Sequence, residues 1–115
     1  MRSRTALFLA AAALYVTGVA AADLPPRWVA MCTAWSADAE RIYDGGCIVD
    51  FKQTGAGGAD VIVTPYNRVS HSVSFGPDRC MFDGEPCIRV TATRPDGVQY
   101  RRQSGHALEF TIPKE

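Results

Sequence analysis

The chain has very little histidine and no excess of charge of either sign. Only two histidines occur in 115 residues, and twelve basic residues balance twelve acidic ones for a formal net charge of +0. The two, His71 and His106, are flanked by serine or glycine and read as exposed turn residues. No His-x-x-x-His or Cys-x-x-Cys spacing is present, so the pattern supports no metal site, and no cofactor is expected. Without a basic excess there is no electrostatic footprint for nucleic acid. No Gly-x-Ser-x-Gly occurs either, and four cysteines in an oxidising compartment leave none spare as a nucleophile. The only low-complexity stretch is Gly55–Gly58. It lacks the lysine and following helix of a phosphate cradle and reads as a hairpin tip.

What is present begins with a leader. Arg2 and Arg4 precede the apolar run Ala6–Val16, and small residues follow to Ala20-Ala21-Ala22. A basic start, a short apolar core and an Ala-x-Ala end predict a signal peptide over 1–22, cleaved near Ala22. Ala6–Ala22 sits at the lower edge of a membrane span and is alanine-heavy, so it reads as a leader, not an anchor. The first cysteine is Cys32, too late for a lipid attachment site at the cleavage point. The expected mature part, residues 23–115, is then a single disulfide-stabilised β domain in the bacterial periplasm or outside the cell. Losing Arg2 and Arg4 makes it slightly acidic, which selects no partner.

Four cysteines permit three pairings that sequence cannot choose among. The favoured set is Cys32–Cys47, across one local excursion, and Cys80–Cys87, across an Asp83-Gly84 turn. Strand-like alternation predicts six strands: Cys47–Lys52, Asp60–Thr64, Val69–Phe75, Cys87–Thr93, Val98–Arg102 and Ala107–Ile112. Turn residues separate them, notably Pro65-Tyr66-Asn67, Gly76-Pro77-Asp78 and Arg94-Pro95-Asp96-Gly97. The expected inward set is Val49, Phe51, Val61, Val63, Val73, Phe75, Ile88, Val90, Val98, Tyr100, Leu108, Phe110 and Ile112. Asp44-Gly45-Gly46 reads as a break. Over Arg27–Tyr43, Trp28, Met31, Cys32 and Trp35 have helical spacing, so a short helix is preferred to a strand through Trp28–Trp35. Either way, Trp28 and Trp35 read as core. The fold class is mainly β: a small antiparallel barrel or curled sheet of about six strands, one short N-terminal helix and two disulfides.

Arg89, Arg101 and Arg102 fall on the expected outward parity of two neighbouring strands, a solvated face or a patch for an acidic partner. Next to them lies Ser104-Gly105-His106-Ala107-Leu108. In a small disulfide-bonded β domain, this fragment resembles the bacterial inhibitors of c-type lysozyme, small antiparallel barrels that insert a Ser-Gly-x-x-Tyr loop into the lysozyme cleft. The resemblance implies contact through Ser104 and a neighbouring Arg101 or Arg102; Leu108 stands where that pattern has tyrosine. The expected function is therefore non-catalytic binding of another protein, a lysozyme or another envelope hydrolase. The binding residues would be Ser104, Gly105, His106, Arg101 and Arg102. The alternatives are a small hydrolase using His71 or His106, or a structural subunit of an envelope complex.

Overall fold

The computed structural model describes residues 24–55 and 57–113; the expected signal peptide over 1–22 and its cleavage site lie outside the described residues. Eight strands follow in chain order: β1 (Arg27–Trp35), β2 (Arg41–Gln53), β3 (Ala59–Pro65), β4 (His71–Gly76), β5 (Arg79–Phe82), β6 (Glu85–Val90), β7 (Gly97–Arg102) and β8 (Ala107–Thr111). Each pairs antiparallel with the next, and β8 pairs with β1, so the sheet closes into a barrel. Closure gives every strand a neighbour on each side, with β8 paired to β1 over Cys32–Trp35. No helix among the described residues is long and apolar enough to cross a membrane.

The preferred helix over Arg27–Tyr43 is corrected to strand. Along β1, Ala30, Cys32 and Ala34 point into the core with Trp28 behind them, while Val29 and Met31 are exposed on the outside. Small alanines at inward positions hide the period of two, and the helix-spaced set mixes residues from both faces. The expected break at Asp44-Gly45-Gly46 also falls inside a strand, β2. Gly46 is there for closeness: a Cβ at this position would come within 2.7 Å of the Tyr66 ring. With β1 and β5 added, the six expected strands become eight.

The core is made by Val49, Val63, Val73, Phe82 and Leu108, all essentially fully buried, with Val98, Tyr100 and Phe110 around them. Tyr100 stacks between Phe75 (5.6 Å) and Phe110 (6.3 Å), and burial pushes its phenol up to about 12. Both favoured disulfides are formed. Cys32–Cys47 joins β1 to β2 with both residues inaccessible, and Cys80–Cys87 closes the β5–β6 hairpin. By loop-closure entropy, the first contributes on the order of 3 kcal/mol. Two disulfides suit an oxidising location outside the cytosol.

Strand β6 departs from its expected parity. Cys87 is held by the disulfide and Arg89 lies across from the inward Tyr100, whereas Ile88 pairs with exposed Arg101 and is 62% exposed. Val90 shares the outer side with Ile88, opposite Gln99. A tight Asp83-Gly84 turn fixes this register: both residues have positive φ (49° and 83°), which joins β5 to β6 by a two-residue hairpin. Once Cys80 and Cys87 flank that turn and bond to each other, the apolar alternation of β6 has to face out. Arg89 accordingly moves to the Tyr100 side of the sheet, where it stays exposed, and Arg102 lies on that side by the alternation of β7 itself, so of the three only Arg101 keeps the expected outward face.

Candidate functional site

At one end of the barrel, four connections meet: residues 36–40, 66–70, 83–84 and 103–106. The buried Phe82 ring sits beneath them. Arg102 lies over one side of it, its guanidinium carbon 4.9 Å from the ring centroid, and His71 meets it edge-on at 6.0 Å. The Arg102 Nε is buried without a hydrogen-bond partner among the described residues, so the ring face is what that part of the guanidinium meets.

His71 is the first residue of β4, not a free turn residue. Its Nδ1 lies 2.7 Å from Asp83 Oδ2, and Asp83 Oδ1 accepts the Ser72 amide at 2.8 Å. The Asp-Gly turn that sets the β6 register thus also fixes His71.

The expected binding loop is organised by a residue the sequence reading missed. Glu85 accepts the Ser104 amide (3.1 Å), the Ser104 hydroxyl (3.1 Å) and Arg102 Nη1 (3.4 Å). Ser104 Oγ also lies 3.3 Å from His106 Nδ1. Four candidates are therefore placed by one loop: Arg102, Ser104 and His106 form a single cluster on Glu85, and Gly105 supplies the turn. Gly105 has φ +108°, and a Cβ there would approach the Ala37 carbonyl oxygen to 2.9 Å. Only glycine allows loop 103–106 to rest on loop 36–40. Arg101 is the exception. It is exposed and, among the described residues, its side chain makes no hydrogen bond or ion pair. Leu108, where the resemblance has tyrosine, is fully buried in the core.

Chemically, the Ser104–His106 contact differs from a nucleophile–base–orienter chain. Glu85 accepts the serine hydroxyl itself, so the carboxylate holds the serine and leaves the imidazole unoriented by it. Among the described residues, no group of three or more His, Cys, Asp or Glu side chains is placed to hold a metal ion.

A second glutamate organises the adjoining wall of the barrel. Glu109 points outward from β8 yet is 0% exposed, because the connection 91–96 folds back over it as a strap. Its carboxylate accepts the Thr93 amide (2.8 Å), the Thr93 hydroxyl (2.8 Å), the Arg94 amide (3.1 Å) and the Gln99 side-chain amide (2.9 Å). Burial alone would push this carboxyl up, but these bonds from Thr93, Gln99 and Arg94 hold it below the ordinary range. Arg94 carries the strap further, donating to Thr33 on β1 (3.2 Å) and to Asp44 on β2 (3.4 Å). Asp44 also accepts from Arg41 and Thr33. Its own desolvation is outweighed by Thr33, Arg94 and Arg41, which keep its carboxyl low.

Beside the strap, a cleft of about 520 Å³ opens on the outer face of β1, β8 and β7. Its lining includes Trp35, Ala107 and Arg101, which occupy one cross-strand row. Trp35, expected as core, is thus at an open surface. Sequence alternation carried the signal for this, since Trp35 shares its parity with exposed Met31; the strap that makes a cleft of it left no sequence signal. No protein-family model, curated protein or solved structure matches this chain.

Proposed function

We propose that this protein acts by binding another protein in the extracytoplasmic space, with Arg101 and the loop Gln103–Ala107 as its contact surface. One observation carries the reading: Arg101 is a guanidinium with no partner among the described residues, set beside a loop held in one conformation by Glu85. A prearranged loop loses little conformational entropy on docking, and an unneutralised arginine at a rim supports recognition of an acidic surface. Because Ser104 and Arg102 spend their hydrogen bonds on Glu85, they support the loop's shape, and Arg101 supplies the external contact. The partner class we infer is a lysozyme or another envelope hydrolase, reached by a chain whose leader is removed near Ala22.

The test is a titration of c-type lysozyme activity with the purified oxidised protein. Inhibition at near-stoichiometric ratio, abolished in Arg101→Glu, is the expected result. Full lysozyme activity at large excess would remove that partner class. Inhibition unchanged by Arg101→Glu would move the contact surface elsewhere. Arg102→Glu is the wrong probe, because it disrupts the Phe82 and Glu85 contacts as well.

A further inference from the structure

The outer face where β1, β8 and β7 run side by side carries two successive cross-strand rows with opposite fates. In the row Thr33–Glu109–Gln99, the strap covers Glu109 and hydrogen-bonds its carboxylate, leaving the Gln99 side-chain oxygen on the cleft side. The next row, Trp35–Ala107–Arg101, is left open and lines the 520 Å³ cleft. Trp35 and Arg101 stand on strands either side of β8, so their backbones are roughly 10 Å apart, two interstrand spacings. Only the methyl of Ala107 stands between them. The result is a slot with an indole on one side and a guanidinium on the other. Thr91 and Gln99 lie toward the strap, and Ala37 and Gly105 close the opposite side. A cleft of this size matches a small-molecule site, and this one has an aromatic wall with a few placed polar groups.

The composition of the slot selects the ligand. An indole wall takes the apolar face of a ring. The Arg101 fork is matched in shape and charge by a carboxylate. The Thr91 hydroxyl and the Gln99 side-chain oxygen offer hydrogen bonds to hydroxyl groups. An extended peptide is the poorer fit, because the strands at the slot are paired to neighbours on both sides and offer no edge there. We infer that the slot between Trp35 and Arg101 binds a carboxylate-bearing sugar, its ring against Trp35, its carboxylate on Arg101 and its hydroxyls toward Thr91 and Gln99. This site shares Arg101, Gly105 and Ala107 with the docking surface proposed above but does not rest on that reading: absence of lysozyme inhibition leaves it intact, and failure of sugar binding leaves the docking loop intact.

The two tryptophans make the test self-controlled. Trp28 donates its indole N–H to the Thr111 carbonyl at 2.9 Å and packs against Phe51, away from the slot, whereas Trp35 lines it. Nitrogen-15 spectra of the oxidised full chain would follow both indole signals during titration with glucuronic acid. The Trp35 signal should shift, with a dissociation constant of about 1 mM, reasonable for a single sugar ring, while the Trp28 signal stays put. Arg101→Gln should weaken binding about tenfold, the loss of one charge-assisted pair, with the Trp28 signal unmoved as the check on folding. Ala107→Leu, which fills the floor of the slot, should abolish binding. An equal response to glucose would overturn the role of Arg101, and an equal response to benzoate would overturn the sugar. A shift with acetate alone would reduce the slot to a generic anion site. No movement of the Trp35 signal by glucuronic acid up to about 20 mM would end the proposal.

Discussion

Two loops of this barrel are each tied down by one glutamate, and the two ties differ in nearly every physical respect. Glu109 holds the strap 91–96 from a fully buried position, with four hydrogen bonds and, among the described residues, no arginine or lysine within ion-pair distance. Glu85 holds loop 103–106 from a partly exposed position, with three bonds, one of them from Arg102. Where water is absent, a carboxylate survives only if successive backbone amides and a side-chain amide replace its hydration. Where water competes, each bond is worth less and the loop relies also on shape, here the Gly105–Ala37 contact. The buried tie therefore fixes architecture, locking β8 to β1, β2 and β7. The exposed tie fixes the conformation of a surface.

The strongest way to break the comparison is Glu109→Ala. It strands the Thr93 and Arg94 amides and the Gln99 side chain, and should cost about 3–5 kcal/mol, read as a lower urea midpoint. A protein that loses under 1 kcal/mol would show that the strap repacks freely. Acidification should reach the same tie without mutation. The Glu109 carboxyl titrates lower in the folded chain than in the unfolded one, so the native state binds fewer protons as pH falls from neutral. Its contribution is fully present above the unfolded value of about 4.3 and is lost as pH drops through the lower, folded value. Midpoints measured from pH 7 downward should fall less steeply in Glu109→Gln than in the parent. A residual slope should remain from Asp44, whose carboxyl is lowered as well.

On the exposed side, Gly105→Ala should be the larger disturbance, about 1–3 kcal/mol. It adds a methyl 2.9 Å from the Ala37 carbonyl oxygen at a φ that L-residues rarely adopt. Glu85→Ala should cost only about 1 kcal/mol, while amide exchange in 103–106 rises sharply. If Glu85→Ala proved as costly as Glu109→Ala, burial would not be what separates the two ties.

Both glutamates illustrate what residues in a row reveal and conceal. The alternation of Leu108, Phe110 and Ile112 marks β8, and Glu109 between them reads correctly as outward. Its burial comes from a strap that crosses three strands, a contact between residues 15 or 16 positions apart that no local pattern encodes. Glu85 sits just after an Asp-Gly turn that is legible, but its partners Ser104 and Arg102 are 19 and 17 residues away. The arginines separate for a related reason. Arg102 shares a face with Tyr100 by the period of two within β7, whereas Arg89 does so through the β6 register, which is set by a disulfide hairpin, not by hydrophobicity.

The sequence by itself determined a mainly β chain, most of its turns and the position of the loop carrying Ser104 and Gly105, and it favoured the two disulfides that form without excluding the other pairings, because each depends on local φ preference, period-two alternation or short-range cysteine spacing. Only the tertiary structure decided that the first strand is a strand, that eight strands close on themselves, that Glu85 and Glu109 each hold a loop, and that Trp35 and Arg101 flank an open slot. These depend on register between strands distant in sequence. A shift of one residue in that register exchanges inside for outside.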